Sequence, residues 1–411
     1  SNKGGLINVE IKNSKTKVTL PNAFKYIGLP INYNNVALFK MPDYPLLQNN
    51  LVIQADVDNN NYVDIIASTN EGIVFYLNQN GSFNTVYGKD SGIDLPDTVK
   101  FMLFDDLNKD GLKDLFISGD KNYIFKNTGE TKFELTEGML PESSVNTIQG
   151  YSIDYDNDTD KDLILLNSGE GNLKTLSVLT NDGTGIFVEE NNLKLPVYQF
   201  KTKGITLGDF NNDTFIDIFA SGYDEEHKLF YNDGTGIFRI ASYDIFPKET
   251  QFKFNKPQAG DLNGDNLTDL YLLSEKQDKV YINDGNGKFV DKTQFMITQE
   301  TQNGKDVIIT DFDKDKCNDI IIFISNTVQL WHNDCEGHFF NYTSKAAVAS
   351  EELLNITGGF SFDFDNDFDN DLFFVRNNVW HPLLLTNLKN DFIDTDKDGI
   401  ADDFDNCSDL S

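Results

Sequence analysis

Short apolar runs punctuate this chain at near-constant intervals. Seven of them, IIAST (65–69), LFISG (115–119), LILLN (163–167), IFASG (218–222), LYLLS (270–274), IIIFI (320–324) and LFFVR (372–376), are rich in β-branched and aromatic residues. They are too short for helices and read as buried strands. A second run follows each, and in several it ends in Asn and a glycine-bearing turn closed by Phe: LFYNDGTGIF (Leu229–Phe238), VYINDGNGKF (Val280–Phe289), LWHNDCEGHF (Leu330–Phe339). Such turns need positive φ and mark hairpins. Each unit therefore reads as strand, polar loop, strand, short loop, strand, glycine hairpin, strand. Four antiparallel strands repeated about every 50 residues predict an all-β fold, a seven-bladed propeller. No segment has the pattern of a long amphipathic helix.

The polar loop before each apolar run is acidic and periodic. The pattern Asp-x-[Asp/Asn]-x-[Asp/Asn]-x-x-x-Asp occurs seven times, its first aspartates 50, 48, 55, 52, 50 and 52 residues apart. Positions 1, 3, 5, 7 and 9 are Asp56, Asp58, Asn60, Tyr62 and Asp64 in the first loop, then Asp106, Asn108, Asp110, Leu112 and Asp114. The third and fourth are Asp154, Asp156, Asp158, Asp160 and Asp162, and Asp209, Asn211, Asp213, Phe215 and Asp217. The fifth and sixth are Asp261, Asn263, Asp265, Leu267 and Asp269, and Asp311, Asp313, Asp315, Cys317 and Asp319. The seventh is Asp363, Asp365, Asp367, Asp369 and Asp371. Hard oxygen ligands at 1, 3, 5 and 9, with a backbone carbonyl at 7, suit Ca²⁺, which takes 6–8 oxygens. An EF-hand is excluded, because position 12 is Ile117, Leu272 or Phe374 rather than Glu and the flanks are strands. Plain polar turns would need one or two such residues, not four at fixed spacing seven times. Loops 3, 6 and 7 carry four carboxylates at the ligand positions and are expected to bind most tightly. At position 6 only Gly111 is a glycine; Asn61 and Asn266 tolerate positive φ, whereas Thr159, Thr214, Lys316 and Phe368 are less suited.

Ring closure follows from counting. From each hairpin Phe to the next loop's first Asp is 23, 21, 22, 23, 22 or 24 residues. The seventh unit lacks this outer strand, its third strand PLLLTNL running on to Phe392. Stepping back 23 residues from Asp56 reaches Tyr33, so Tyr33–Met41 is expected to supply the fourth strand of blade seven. The organisation expected is an N-terminal extension (1–32), the ring (33–392) and an acidic tail (393–411).

Composition narrows the function. The 411 residues carry a formal net charge of −32, which argues against nucleic acid and anionic membrane surfaces as partners. Seven Ca²⁺ would leave −18. Apolar content of 39% is ample for a core, and no run approaches the roughly 18 residues of a membrane span. Ser1–Gly5 carries no targeting information. Cys317 lies in the sixth loop and Cys335 in the hairpin of the same blade, at one end of it. A disulfide between them is favoured over two free thiols, and with calcium it points to an oxidising, extracellular setting. Asn341 and Asn355 begin glycosylation sequons. His227, His332, His338 and His381 are scattered and are expected to be exposed structural residues.

The Asp loops and the Gly-Asp-Phe-Asn and Gly-Asp-Leu-Asn starts at Gly208–Asn211 and Gly260–Asn263 resemble the FG-GAP/VCBS repeats of integrin-α-like seven-bladed propellers. The resemblance spans about Tyr33 to Phe392 and implies calcium loops on one face and ligand recognition on the other. The integrin motif's leading Phe-Gly is mostly absent. DTDKDGIADDFDNC, with Asp394, Asp396, Asp398, Asp402 and Asp405, resembles one truncated thrombospondin type 3 calcium repeat, with room for one further ion. The resemblance would leave Cys407 without its usual partner.

Two functional classes follow. The first is a non-catalytic extracellular or cell-surface adhesion module, part of a larger secreted protein, binding a protein or glycan through Ser221–Lys228, Asn167–Asn172 and Arg376–His381. Tyr223, Arg376, Trp380 and His381 are its contact candidates. The second is a polysaccharide lyase or hydrolase on the same scaffold, for which His381 with Arg376 offers the only legible base and cation. A calcium-stiffened spacer is a third, purely structural reading.

Overall fold

The computed structural model describes strands at residues 6–12, 17–25 and 33–35, and residues 47–387 apart from short stretches, among them 170–173, 344–352, 367–369 and 377–382. It is a seven-bladed β-propeller of antiparallel blades. Blade one comprises Leu47–Ala55, Asp64–Thr69, Gly72–Asn78 and Phe83–Tyr87. Blades two to six repeat that order, and blade four, for example, comprises Ile205–Gly208, Asp217–Ala220, Lys228–Asn232 and Phe238–Ile240. Blade three adds a fifth strand, Gln199–Phe200, paired with Lys174–Thr175. The described helical segments are single turns, Thr293–Met296 among them. None is long and apolar enough to cross a membrane.

The apolar runs are the second strands. Each is covered on both faces by neighbouring blades, so Asp64–Thr69 and Asp269–Ser274 are buried at every residue and show no alternation. Side chains from adjacent blades interdigitate in seven cores, one per blade junction. Ile65, Val74 and Tyr76 of blade one meet Phe362, Phe373 and Leu384 of blade seven.

Blade seven is closed as counting predicts. Ile356–Phe362, Asp371–Arg376 and Leu383–Asn387 are joined by Tyr33–Asn35, with Tyr33 opposite Asn387 and Asn35 opposite Leu385. Residues 36–46 lie outside the described residues. Leu6–Lys12 and Lys17–Lys25 pair with each other as a separate two-stranded sheet.

Candidate metal centres

The acidic loop joins the first and second strands of a blade, and the glycine hairpin joins the third and fourth. Antiparallel pairing places both at one end of the blade. In each of the first six loops the position-1 carboxylate accepts the backbone N–H groups of positions 5 and 6. Asp209 receives those of Asp213 (3.0 Å) and Thr214 (2.8 Å), and Asp311 those of Asp315 (3.1 Å) and Lys316 (2.8 Å). The position-5 side chain accepts the N–H of position 7, as Asp158 does from Asp160 (2.9 Å).

This winding puts two backbone positions in the left-handed region. Position 4 has φ of 58–78° from Asn59 to Asn366. Position 6 does so whatever its residue type: Asn61 68°, Gly111 87°, Thr159 78°, Thr214 75°, Asn266 66° and Lys316 74°. The less suited residues thus adopt the same geometry as glycine, at a strain cost. Phe368 lies outside the described residues.

Position 9 is the buried anchor. Asp64, Asp114, Asp162, Asp217, Asp269, Asp319 and Asp371 have no solvent exposure. One oxygen accepts the N–H of position 2 and, in blades one to six, the other accepts that of the Asn ending the third strand. For Asp217 the donors are Phe210 (3.0 Å) and Asn232 (2.8 Å). Burial pushes these carboxyls up, to about 7 for Asp64, Asp162, Asp217, Asp269 and Asp319 and about 6 for Asp114, despite the N–H donors.

The third-strand Asn links neighbouring blades. Asn232 Nδ2 donates to the Tyr155 carbonyl of the preceding loop (2.7 Å) and to Ile216 of its own (3.3 Å). Its Oδ1 accepts from Gly234 and Gly236 in the hairpin. Asn181, Asn283 and Asn333 reach Leu107, Phe210 and Leu262 likewise, and Asn78 reaches Phe364 across the closing junction (2.9 Å). Every position-2 residue, from Val57 to Phe364, is at most 2% exposed. Tyr155 lies against the next blade's Phe238, Phe210 against Phe289, and Phe364 against Phe83. The apolar residue at position 2 in all seven copies was the sequence signal for this contact.

The donor set fits calcium in the first and third loops, although in the third Lys194 Nζ lies 3.2 Å from Asp156 and Lys109 Nζ 2.6 Å from Asp160. Carboxylate oxygens of Asp56, Asp58 and Asp64, and of Asp154, Asp156 and Asp162, converge within 4.8 Å of one another. Asp58 Oδ1 and Asp156 Oδ1 are buried without a hydrogen-bond donor, an arrangement that a cation would satisfy. Where position 3 is Asn, its amide does part of that work: Asn108 donates to Asp114 (2.9 Å), Asn211 to Asp213 (2.8 Å) and Asn263 to Asp265 (2.9 Å). In loop two Lys126 Nζ also lies 3.1 Å from Asp110. Asp363 and Asp365 belong to the described part of loop seven; Asp367, Asp369 and the tail aspartates from Asp394 to Asp405 lie outside the described residues.

Blade six departs from the others. Cys317 and Cys335 are paired, Cα–Cα 5.3 Å, tying position 7 to the hairpin. His332 is 4% exposed and stands between Asp313 and Asp319, which hold its imidazole up at about 10 against the cost of burial. His227 is buried among Phe219, Phe246 and Phe254, and burial pushes it down to about 3. The expectation of exposed histidines is therefore corrected at both. Their aromatic and acidic partners lie 8–27 residues away on neighbouring strands and loops, a separation that local patterning does not reveal.

At the opposite end of the blades Tyr223 is held in a polar cluster. Lys203 Nζ and Lys253 Nζ lie 3.9 and 4.6 Å from its ring centre, and its hydroxyl donates to Glu275 (2.7 Å). Arg376 ends the second strand of blade seven. Trp380 and His381 lie outside the described residues.

Among solved structures, the chain is similar to a lectin of Agrocybe aegerita described for specific recognition of non-reducing terminal N-acetylglucosamine. The TM-score is 0.53 at 17% identity, covering 80% of this chain and 87% of the lectin. It is also similar to BBS1N, solved in complex with ARL6DN. The lead-soaked form gives a TM-score of 0.50 and the mercury-soaked form 0.51, both at 12% identity, covering 87–88% of this chain and 97–98% of the other. At these identities the likeness is one of fold. No curated protein matches the sequence. The FG-GAP-like repeat model matches four overlapping stretches, 106–165, 154–220, 209–272 and 261–322, each running from one acidic loop through the second strand of the next blade. With more than half its length matched and the loops placed on seven blades, the chain belongs to the FG-GAP-like repeat family.

Proposed function

We infer that this propeller is a calcium-stabilised, non-catalytic extracellular or cell-surface module that binds a protein or glycan on the face opposite the acidic loops. The observation that carries the calcium reading is the pair of buried, donorless oxygens, Asp58 Oδ1 and Asp156 Oδ1, inside carboxylate clusters. In the loops other than the sixth the ligands would be positions 1, 3, 5 and 9 with the carbonyl of position 7. What the ion supplies is positive charge against carboxylates that burial otherwise disfavours. The recognition reading draws support from the family, whose fold suits a binding or scaffold role, and from the lectin among its structural neighbours. The disulfide in blade six supports an oxidising setting.

Loop three, which has four ligand-position carboxylates and a buried donorless oxygen, is expected to be among the tightest calcium sites. A site held at 100 times its dissociation constant adds about 2.7 kcal/mol to stability. Removing calcium should therefore lower the melting temperature by many degrees, with Mg²⁺ restoring it poorly. An unchanged melting curve would refute the calcium reading. A glycan and surface-protein array, run with calcium and with chelator, tests recognition. Unsaturated products from acidic polysaccharides would instead establish a lyase.

A further inference from the structure

The third strand of blade six places His332 one residue before the interblade Asn333, where blades one to five carry Leu77, Lys126, Thr180, Tyr231 and Ile282. The imidazole is 96% buried, and its Nδ1 points into the acidic loop. It lies 3.2 Å from Asp313 Oδ2 and 3.3 Å from Asp319 Oδ1, without the geometry of a hydrogen bond to either. One ligand atom from each of the three residues falls within 4.8 Å of the other two, and all three side chains are buried. The two nitrogen–oxygen separations match the edge of about 3.3 Å expected of a tetrahedron with bonds of about 2.0–2.1 Å.

The surroundings hold this arrangement in place. The Tyr342 ring lies 4.9 Å from the imidazole. The Cys317–Cys335 disulfide joins the loop that carries both aspartates to the hairpin just beyond His332. Asp319 accepts backbone N–H groups from Phe312 (3.0 Å) and Asn333 (2.7 Å), which fix its orientation and leave each oxygen a lone pair. Calcium takes oxygen donors, whereas an imidazole nitrogen beside carboxylates suits borderline ions.

We propose that loop six is a mixed nitrogen–oxygen site for a transition-metal dication of the zinc class, bound by His332 Nδ1, Asp313 and Asp319, with the fourth position open to Asp315 or water. The inference concerns loop six alone and stands or falls independently of calcium in the others. The competing account is a protonated His332 acting as a built-in cation between the two aspartates.

The test uses the full chain, ¹⁵N-labelled at histidine and stripped of metal. Nitrogen correlation spectra of the imidazoles are followed as Zn²⁺ is added, with the His332 signal assigned by its loss in His332→Thr. Threonine stands at the matching position of blade three (Thr180), so the blade geometry accepts it. One equivalent of Zn²⁺ should shift His332 Nδ1, and a tenfold excess of Ca²⁺ should not reverse the shift. By equilibrium dialysis His332→Thr should bind one zinc fewer while retaining its calcium stoichiometry. Asp313→Asn, which keeps the shape, should weaken zinc binding at least tenfold and serves if His332→Thr fails to fold. An unmoved His332 signal, full reversal by calcium, zinc confined to His338, whose Nδ1 lies 3.0 Å from Asp334 Oδ2, or unchanged zinc binding in the variants would each overturn the proposal.

Discussion

At the scale of single residues the loops are strained where the sequence departs from glycine. Thr159 and Thr214 are β-branched yet sit at φ 78° and 75°. A left-handed backbone costs an L-residue about 1–2 kcal/mol that glycine does not incur. The Asp209 carboxylate, which takes the N–H of Thr214 itself at 2.8 Å, is one of the restraints that hold the strained turn. Thr214→Gly is therefore expected to stabilise the calcium-loaded protein by about 1 kcal/mol, read as a higher midpoint in denaturant. A lower midpoint would show that the threonine makes a compensating contact.

Elements reveal how much the sequence could tell. Strand order, blade number, the closing strand and the Cys317–Cys335 pair were all legible, because each follows from a period or a count along the chain. The apolar residue at position 2 marked a buried contact in every blade, but its partner in the next blade was not legible. Asn283 and Phe210 are 73 residues apart, and nothing local to either says that they meet. His332 looked like one more polar residue on a strand until the loop folded against it. The same limit hid the fifth strand of blade three, whose two residues have no period to betray them. The interblade Asn gives the element-scale prediction. Asn232→Ala removes donors to Tyr155 and Ile216 and the acceptor for two hairpin N–H groups. Leaving such buried groups unpaired should cost on the order of 2–3 kcal/mol. Asn232→Ala should also sharpen the calcium dependence of melting, since the adjoining loops lose a metal-independent tie. Stability within about 0.5 kcal/mol of wild type, a margin typical of surface substitutions, would contradict this reading.

Over the whole molecule, six buried position-9 carboxyls titrate together. Their values in the folded ring are about 6–7, against 3.8 in an open chain. Protonation therefore favours the fold. Metal-free protein should gain this stability fully below about pH 3.8 and lose it as pH rises through 6–7. Calcium binds the ionised form and displaces these protons, so the stability of the loaded protein should stay nearly constant over the same rise while the calcium contribution grows. From pH 5 to 8 the melting temperature should fall in metal-free buffer and hold nearly level with calcium, so that the gap between the two curves widens. Parallel curves would mean that the buried carboxyls are not the calcium ligands.

The pairing of Tyr33 with Asn387 has a mechanical consequence. The two strands are antiparallel, so the segment leading into Tyr33 and the one leading out of Asn387 leave blade seven side by side, at the same end of that pair. Tension between them would not shear the strands past each other. It would peel them apart one rung at a time, starting at the outermost, with three residue pairs in the path. A ring so closed resists heat through its cores but yields to tugging at its seam. Force–extension traces pulled through residues 32 and 388 should show an early, low-force opening of blade seven before the other blades unfold. A single high-force event would mean that the seam is locked by contacts beyond this pairing.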